Sequence, residues 1–431
     1  MLCFFRRLGF WTLDFLKGGK IRKHYKDVKQ RMADGRLNKE QLAKLLCHAA
    51  ETTELYSEFN SSDVNNFPII DKMTVKNRHE AIFSRKYVGA QVHKMSTSGS
   101  TGTPFVMEWN MDKRRRQMAD MLYFNERAGQ KFGKKYIYFR VWTDRNRKSR
   151  LERFMQNLIP VDTHYLDTEK LREIRKRLKS RPAVNACIGY ASTYEFLAKY
   201  LNSCGDTPDM FRTKVFISSS EVLSMNMKRL VKQTVGCDIV DRYANEENGF
   251  LAQTGDCSDE FAVNTASFFV EVLKQDSDEA AEIGEVGRIV VTDLYNFAVP
   301  LIRYDTGDLA IKAEEKDGWT TVLKTIQGRR SDIIYDTAGK TMTSHTFGVH
   351  MWSFEKLSQY QLIQNGAREY TLKLNGAAGN YTDDEMTGFV KGLLGDDAAV
   401  VIEHVDGIPA LKSGKFKRTV CNYTYNADDY R

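Results

Sequence analysis

Four short apolar runs, "KKYIYFRV", "AVNACIGY", "TKVFISSS" and "CDIVDRYA", recur between residues 134 and 245, with helical segments such as "STYEFLAKYLNSC" and "SMNMKRLVKQTVG" between them. Strands that alternate with helices in this way pair in parallel, so the pattern demands an α/β fold with a largely parallel sheet. Further on, "EIGEVGRIVVTDLYNFAVPLIRYDTGDLAIKAEE" reads as strands joined by turns. Beyond residue 329 the pattern restarts on a smaller scale, with "EYTLKLNG" and "AAVVIEHV" as strands and "TDDEMTGFVKGLLG" as a helix between them. The predicted organisation is a large α/β domain over 1–329, with mixed and parallel sheets, and a small mobile α+β domain over 330–431.

Ahead of the strands, helical patterns dominate to about residue 90. "FPIIDKMTVKNRHEAIFS" reads as a turn and a helix capped by Asp71 or Thr74, and "MDKRRRQMADMLYFNERAG" as a helix with Asp112 near its start. On that helix Lys113 to Arg116 read as a solvated basic face. Residues 1–50, a basic helical arm, carry twelve Lys/Arg against four Asp/Glu, an excess equal to the whole chain's net charge of +8. The remainder is balanced, which argues against nucleic acid as a partner. Phe4, Leu8, Trp11 and Phe15 share one helical face ahead of Lys17, Lys20, Arg22, Lys23 and Lys26. Two readings stay open for residues 1–31: the face packs on the protein's own core, or it lies in an anionic membrane interface. No apolar stretch is long enough to span a bilayer. The seven Cys are scattered without a CxxC or zinc spacing, so reduced thiols, no zinc and a cytoplasmic location, at the inner membrane face if the arm binds lipid, are expected.

"STSGSTGTP" (96–104) joins hydroxyls to glycines, and main-chain amides of such a loop can converge on an anion. It lacks the GxxxxGK[ST] spacing of a Walker loop. With "DRYANEENG", "IRYDTGDLA", "QGRRSDII" and "IPALKSGKFKRTV" it makes five motifs in order across residues 96–420. Together they resemble the adenylate-forming (AMP-forming) ligases, most closely phenylacetate–CoA ligases and CapK-like proteins of capsular polysaccharide clusters. Ala244 stands where that family usually has Gly.

The resemblance implies ATP, Mg2+ and a carboxylic acid as ligands, with an acyl-adenylate as the product of the first step. Ser96, Thr97, Ser98, Gly99, Ser100, Thr101 and Gly102 would hold the phosphates, and Glu247, rather than its neighbour Glu246, would ligate the metal. Asp308 would bind the ribose, supported by Arg329. Asp241, Arg242 and Tyr243 belong to the same nucleotide region, with Tyr243 against the adenine or the acyl group. Ser218 to Glu221 ("SSSE"), with Ser220 and Glu221 foremost, would line the adenine side, and Gly189, Tyr190 and Ser192 a wall of the acid's pocket. Ser331 or Asp332 would act as the hinge, and Lys415 would stabilise the charge that develops during adenylation. The acceptor implied is an amine or sugar in polysaccharide synthesis; alternatives are CoA, as in the aryl–CoA ligases, or a non-catalytic nucleotide-binding or membrane-recruited interaction protein. "DTAGKTMTSHTFGVH", after the hinge, departs from the glycine- and proline-bearing pattern of the aryl–CoA ligases.

Overall fold

The computed structural model describes residues 2–59, 63–97, 105–142, 147–163, 166–219, 221, 223, 225–255, 258–354, 356–376, 379–409 and 417–430. The chain divides into two compact units: Met1–Leu223, Met227–Thr306 and Ala310–Thr325 form the first, and Ser224–Asn226, Gly307–Leu309 and Ile326–Arg431 the second.

Strands of the first unit are β1 (Val92–Thr97), β2 (Phe105–Asn110), β3 (Tyr136–Arg140), β4 (Leu158–Asp162), β5 (Ala186–Gly189), β6 (Val215–Ser219), β7 (Asp238–Asn245), β8 (Gly249–Thr254), β9 (Phe261–Val263), β10 (Phe268–Leu273), β11 (Val286–Asp293), β12 (Tyr304–Lys316) and β13 (Trp319–Arg329), the last two reaching into the second unit. Its helices are α1 (Leu2–Leu16), α2 (Lys20–Asp34), α3 (Lys39–Thr52), α4 (Lys72–Asn77), α5 (His79–Ile82), α6 (Met111–Arg127), α7 (Arg150–Gln156), α8 (Thr168–Lys179), α9 (Ala191–Ser203) and α10 (Met225–Val235). β1 and β2 form an antiparallel hairpin, and the other eleven strands form one sheet in the order β10-β11-β12-β13-β9-β8-β7-β6-β5-β3-β4. From β4 to β7 neighbours run parallel, and from β7 through β8 and β9 to β13 they are antiparallel. The four apolar runs of the sequence are β3, β5, β6 and β7. Helices α8, α9 and α10 bury Leu171, Ile174, Tyr194, Leu197, Met227 and Val231 in one core with Ile137, Phe139 and Phe216 of those strands. β4 carries Pro160 and lies at the sheet edge, where a missing N–H removes no ladder bond.

Two expectations from the sequence need correction. The "KRRR" run is a solvated face only at Arg114 and in part at Arg115, because Lys113 and Arg116 are fully buried. They are three residues apart on the inner side of α6, where Lys113 pairs with Asp293 at 2.7 Å. Arg116 donates to Asp27 (2.6 Å), Ser267 (2.7 Å) and the carbonyl of Ala266 (2.7 Å). Nor do Phe4, Leu8, Trp11 and Phe15 act as one packed face. Trp11 turns inward beside Tyr25, while Phe4, Leu8 and Phe15 are exposed. Asp71, one of the two caps proposed for α4, accepts the Thr74 N–H at 2.7 Å.

Strands of the second unit are β14 (Ile334–Tyr335), β15 (Thr341–Met342), β16 (Gln359–Gln364), β17 (Glu369–Asn375), β18 (Ala399–His404) and β19 (Thr419–Cys421), with helices α11 (Ser344–His350) and α12 (Asp383–Leu394). A four-stranded sheet, β18-β17-β16-β19, packs Leu362, Leu372 and Leu374 against Phe347, Met386 and Val390 of the two helices. Among the described residues no helix is long and apolar enough to cross a membrane.

Candidate active site

Three residues named from the sequence fall on one line across the sheet. Gly189 of β5 pairs in register with Ser218 of β6, and Ser218 with Asp241 of β7. The first two stand at the carboxyl ends of their parallel strands, the edge at which open α/β sheets bind ligands. Gly189 is required by close approach: a Cβ there would lie 2.6 Å from the Cβ of Phe139 on β3. Ser218 is fully buried, and among the described residues its Oγ has no hydrogen-bond partner. Past the end of β6, Glu221 Oε2 accepts the N–H of Ser192 at 2.7 Å in the first turn of α9. A carboxylate is well placed there, because that turn leaves N–H groups unpaired and carries the positive end of the helix dipole. The bond joins the Glu221 segment to Gly189, Tyr190 and Ser192, two groups that the sequence reading kept apart. Burial pushes the Tyr190 hydroxyl up to about 12, with Arg140 acting against the shift.

Along β7 side chains alternate. Burial pushes the Asp241 carboxyl up to about 7, with partial relief from Lys228. Between about pH 4 and pH 7 the folded chain therefore holds one proton more than the unfolded chain at this position, so stability falls as pH rises through that window. Asp241→Asn is expected to remove that fall, of the order of a few kcal/mol, in urea titrations run across it. Arg242 turns to the opposite side, donates to Asn125 (2.7 Å) and Gln253 (3.0 Å), and stacks over Phe250. Its guanidinium braces β7 and β8 against α6. Tyr243 is buried and donates to Thr306 Oγ1 at 3.3 Å. Ala244 follows at a register shift within an extended strand, where a side chain brings no backbone strain.

The turn after β7 holds Glu247. Its carbonyl accepts the indole N–H of Trp109 at 3.0 Å, which ties the turn to β2. β1 and β2 frame the Ser/Thr/Gly loop, their last registered pair being Thr97 and Phe105. Gly249, with φ of 97°, closes the turn, and a Cβ there would meet Gln117 at 2.2 Å. The Glu247 side chain is nearly buried and lies 3.5 Å from Lys72 Nζ at the start of α4. Lys72 is a charged neighbour that the sequence reading missed; the cap at Asp71, directly before it, was the available signal. On the same hairpin Glu108 pairs with His79 at 2.6 Å, a bond that raises the His79 pKa and lowers that of Glu108. Among the described residues no group of three or more His, Cys, Asp or Glu could hold a metal alone. One carboxylate at Glu247 fits Mg2+, which usually takes one or two protein carboxylates and fills its shell with phosphate and water oxygens.

In the second unit, Arg329 Nε lies 3.9 Å from Asp308 Oδ1, a long contact for an ion pair, with the arginine largely exposed. Ser331 and Asp332 lie in a 3-10 turn over Arg330–Asp332. Lys417 Nζ bonds Asp332 Oδ1 at 2.7 Å, and Thr419 Oγ1 donates to the Asp332 carbonyl at 2.6 Å. Ser98, Gly99, Ser100, Thr101, Gly102, Ser220 and Lys415 lie outside the described residues, and for Ser96 and Thr97 only the backbone, in β1, is described.

No family model matches the sequence. The chain is 22% identical over 440 residues to "Protein CapK" of Staphylococcus aureus, a match that spans 95% of this chain and 94% of that protein. It is 27% identical over 199 residues to a phenylacetate-coenzyme A ligase of Thermus thermophilus, across 44% of each chain. Among solved structures it is similar to 2-hydroxyisobutyryl-CoA ligase in the postadenylation state in complex with R3-HIB-AMP, with a TM-score of 0.71 and 14% identity over 93% of this chain and 92% of that one. The chain has the adenylate-forming ligase fold. Within this fold the described motif residues of the sequence occupy the carboxyl edge of β5 to β7, the turn after β7 and the ends of β12 and β13.

Proposed function

We propose that this ligase activates a carboxylic acid with ATP, forming an acyl-adenylate and pyrophosphate, and then passes the acyl group to an acceptor. The observation that carries the reading is the bond from the Trp109 indole to the Glu247 carbonyl, which ties the turn bearing the motif carboxylate to the hairpin that frames the Ser/Thr/Gly loop. In this reading the loop amides neutralise the leaving pyrophosphate. Glu247 would hold Mg2+, which when bound would supply charge neutralisation to the phosphates. Asp308 accepts hydrogen bonds from the ribose hydroxyls, with Arg329 beside it. Glu221, Ser218 and Asp241 border the nucleotide, and Gly189, Tyr190 and Ser192 border the acid. Ser331 or Asp332 serves as the hinge, and Lys415 acts in the first step.

The length of the match to CapK supports an amine or sugar acceptor in surface polysaccharide synthesis. The shorter match to the phenylacetate ligase supports CoA as the competing acceptor. Carboxylate-dependent exchange of labelled pyrophosphate into ATP tests the first step with no acceptor present. A panel of aromatic, fatty, amino and uronic acids should give exchange with one class, and adding CoA or amines afterwards identifies the acceptor. Absence of exchange with every acid would leave a nucleotide-binding or interaction protein in its place.

A further inference from the structure

The first helix is built inside out for a helix in water. Its three charged side chains all face the protein: Arg6 stacks on the Phe154 ring at 4.7 Å, Arg7 lies 3.7 Å from Glu126, and Asp14 accepts the N–H groups of Ile21 (3.1 Å) and Arg22 (2.9 Å). Cys3, Phe10 and Trp11 lie on that same side, Phe10 and Trp11 meeting Phe132 and Tyr25. At about 100° per residue, the remaining arc of roughly half a turn carries Phe4, Phe5, Leu8, Thr12, Phe15 and Leu16, one hydroxyl among apolar side chains and no charge. These side chains are exposed, Phe15 by 74% and Leu16 by 73%. The strip continues onto α7, which lies against α1 at Arg6 and Gly9: Phe154 is half exposed there, and Leu151, one turn away, is 70% exposed. Scattered exposed apolar residues need no explanation, but a contiguous uncharged strip on two adjacent helices marks a contact surface.

The borders of the strip select the partner. Lys17, Lys20, Arg22 and Lys23 follow α1, and Arg150 opens α7. Three acids accompany them, each engaged: Asp14 by the amides of α2, Glu126 by Arg7 and Tyr25, and Glu152 by the Ser149 amide. A second copy of this chain would bring cationic borders together, whereas an anionic bilayer attracts the border and dissolves the strip. We infer that α1 and α7 form a docking surface for an anionic lipid membrane, with the apolar arc at the acyl boundary and the basic residues at the headgroups. The helix lies on the membrane and does not cross it. This inference does not depend on the ligase reading.

Sedimentation of the full chain with vesicles of phosphatidylcholine alone, or with added phosphatidylglycerol, tests it. Binding is expected on the anionic vesicles, weakening as salt screens the borders. Phe15→Ser/Leu16→Ser, and separately Leu151→Ser, are expected to weaken binding, the double variant by at least about tenfold, with the unfolding midpoint unchanged. The changed side chains contact solvent, so folding is not at stake. The inference is overturned if neither vesicle binds, if both bind equally, or if the variants bind like the parent. It is equally overturned if the parent is a dimer that ignores vesicles and Phe15→Ser/Leu16→Ser makes it a monomer.

Discussion

Lys415→Ala is expected to lower carboxylate-dependent pyrophosphate exchange by about a hundred- to a thousandfold while leaving the unfolding midpoint of the chain unchanged. The physical ground is timing. As a carboxylate oxygen attacks the innermost phosphorus, negative charge shifts onto the phosphate oxygens, and an ammonium positioned there is worth more in the transition state than in the ground state. A loss of that size corresponds to about 2.7–4 kcal/mol of transition-state stabilisation. Lysine suits the task as a compact point charge on a flexible stem, so Lys415→Arg, with its planar fork, is expected to recover only part of the rate. The neighbours separate this role from a general basic patch. Lys417 is bonded to Asp332, and Arg418 lies over the Tyr360 ring, so both are engaged within the second unit. Acyl transfer from a chemically prepared adenylate bypasses the first step and should survive in Lys415→Ala. Exchange at the parental rate in Lys415→Ala would refute the assignment, and loss of both half-reactions would point to a folding defect.

What the sequence disclosed, and what it withheld, follows the range of the interactions involved. Strands β3, β5, β6 and β7 were legible because each is an apolar run bounded by helical periodicity, and the Asp71 cap because its bond to Thr74 spans three residues. The site motifs were legible as local strings, but their assembly was not. Nothing near Glu221 indicates that it caps α9 at Ser192, 29 residues away, and nothing near Glu247 indicates Lys72. Strands β8 and β10 are buried at every position, so the alternation that identifies a half-exposed strand is absent from them. The α1 error has the same origin. Period alone located an apolar face but could not tell which side of an almost wholly apolar helix meets the protein, and the inward side was chosen by Arg6, Arg7 and Asp14 finding partners elsewhere in the chain. The basic run at 113–116 was misjudged because charge predicts exposure only when no buried partner exists, and Asp293 is 180 residues from Lys113.

That pair should carry the largest stability effect in the molecule. Lys113→Met is expected to lower the unfolding free energy of the first unit by about 3–5 kcal/mol in urea titrations at neutral pH, where a solvated lysine would cost under about 0.5 kcal/mol. Both side chains are fully buried, and the ammonium sits 4.5 Å from the Phe268 ring centre. Without it the Asp293 carboxylate keeps a hydrogen bond from the Tyr295 N–H but loses its counter-charge in an apolar setting. Burial already raises the Asp293 pKa against the opposing pull of Lys113. Removing the lysine takes away the main pull that opposes burial, so the folded variant holds a proton on Asp293 that the unfolded chain has released. Its deficit therefore grows as pH rises above the ordinary carboxylate range and shrinks towards acid. Lys113→Met/Asp293→Asn removes both charges, keeps an acceptor for the Tyr295 amide, and should restore most of the loss. The same pair bears on the site. α6 begins at Met111, immediately after β2, and the residues that follow Asp293 hold β2 through Asn296 to the Glu108 carbonyl (3.1 Å) and through the Phe297 N–H to Asn110 (3.0 Å). Stability restored in the double variant, with exchange activity returning in parallel, would locate the whole effect in the support of that hairpin. A single variant as stable as the parent would show that the buried charges contribute nothing.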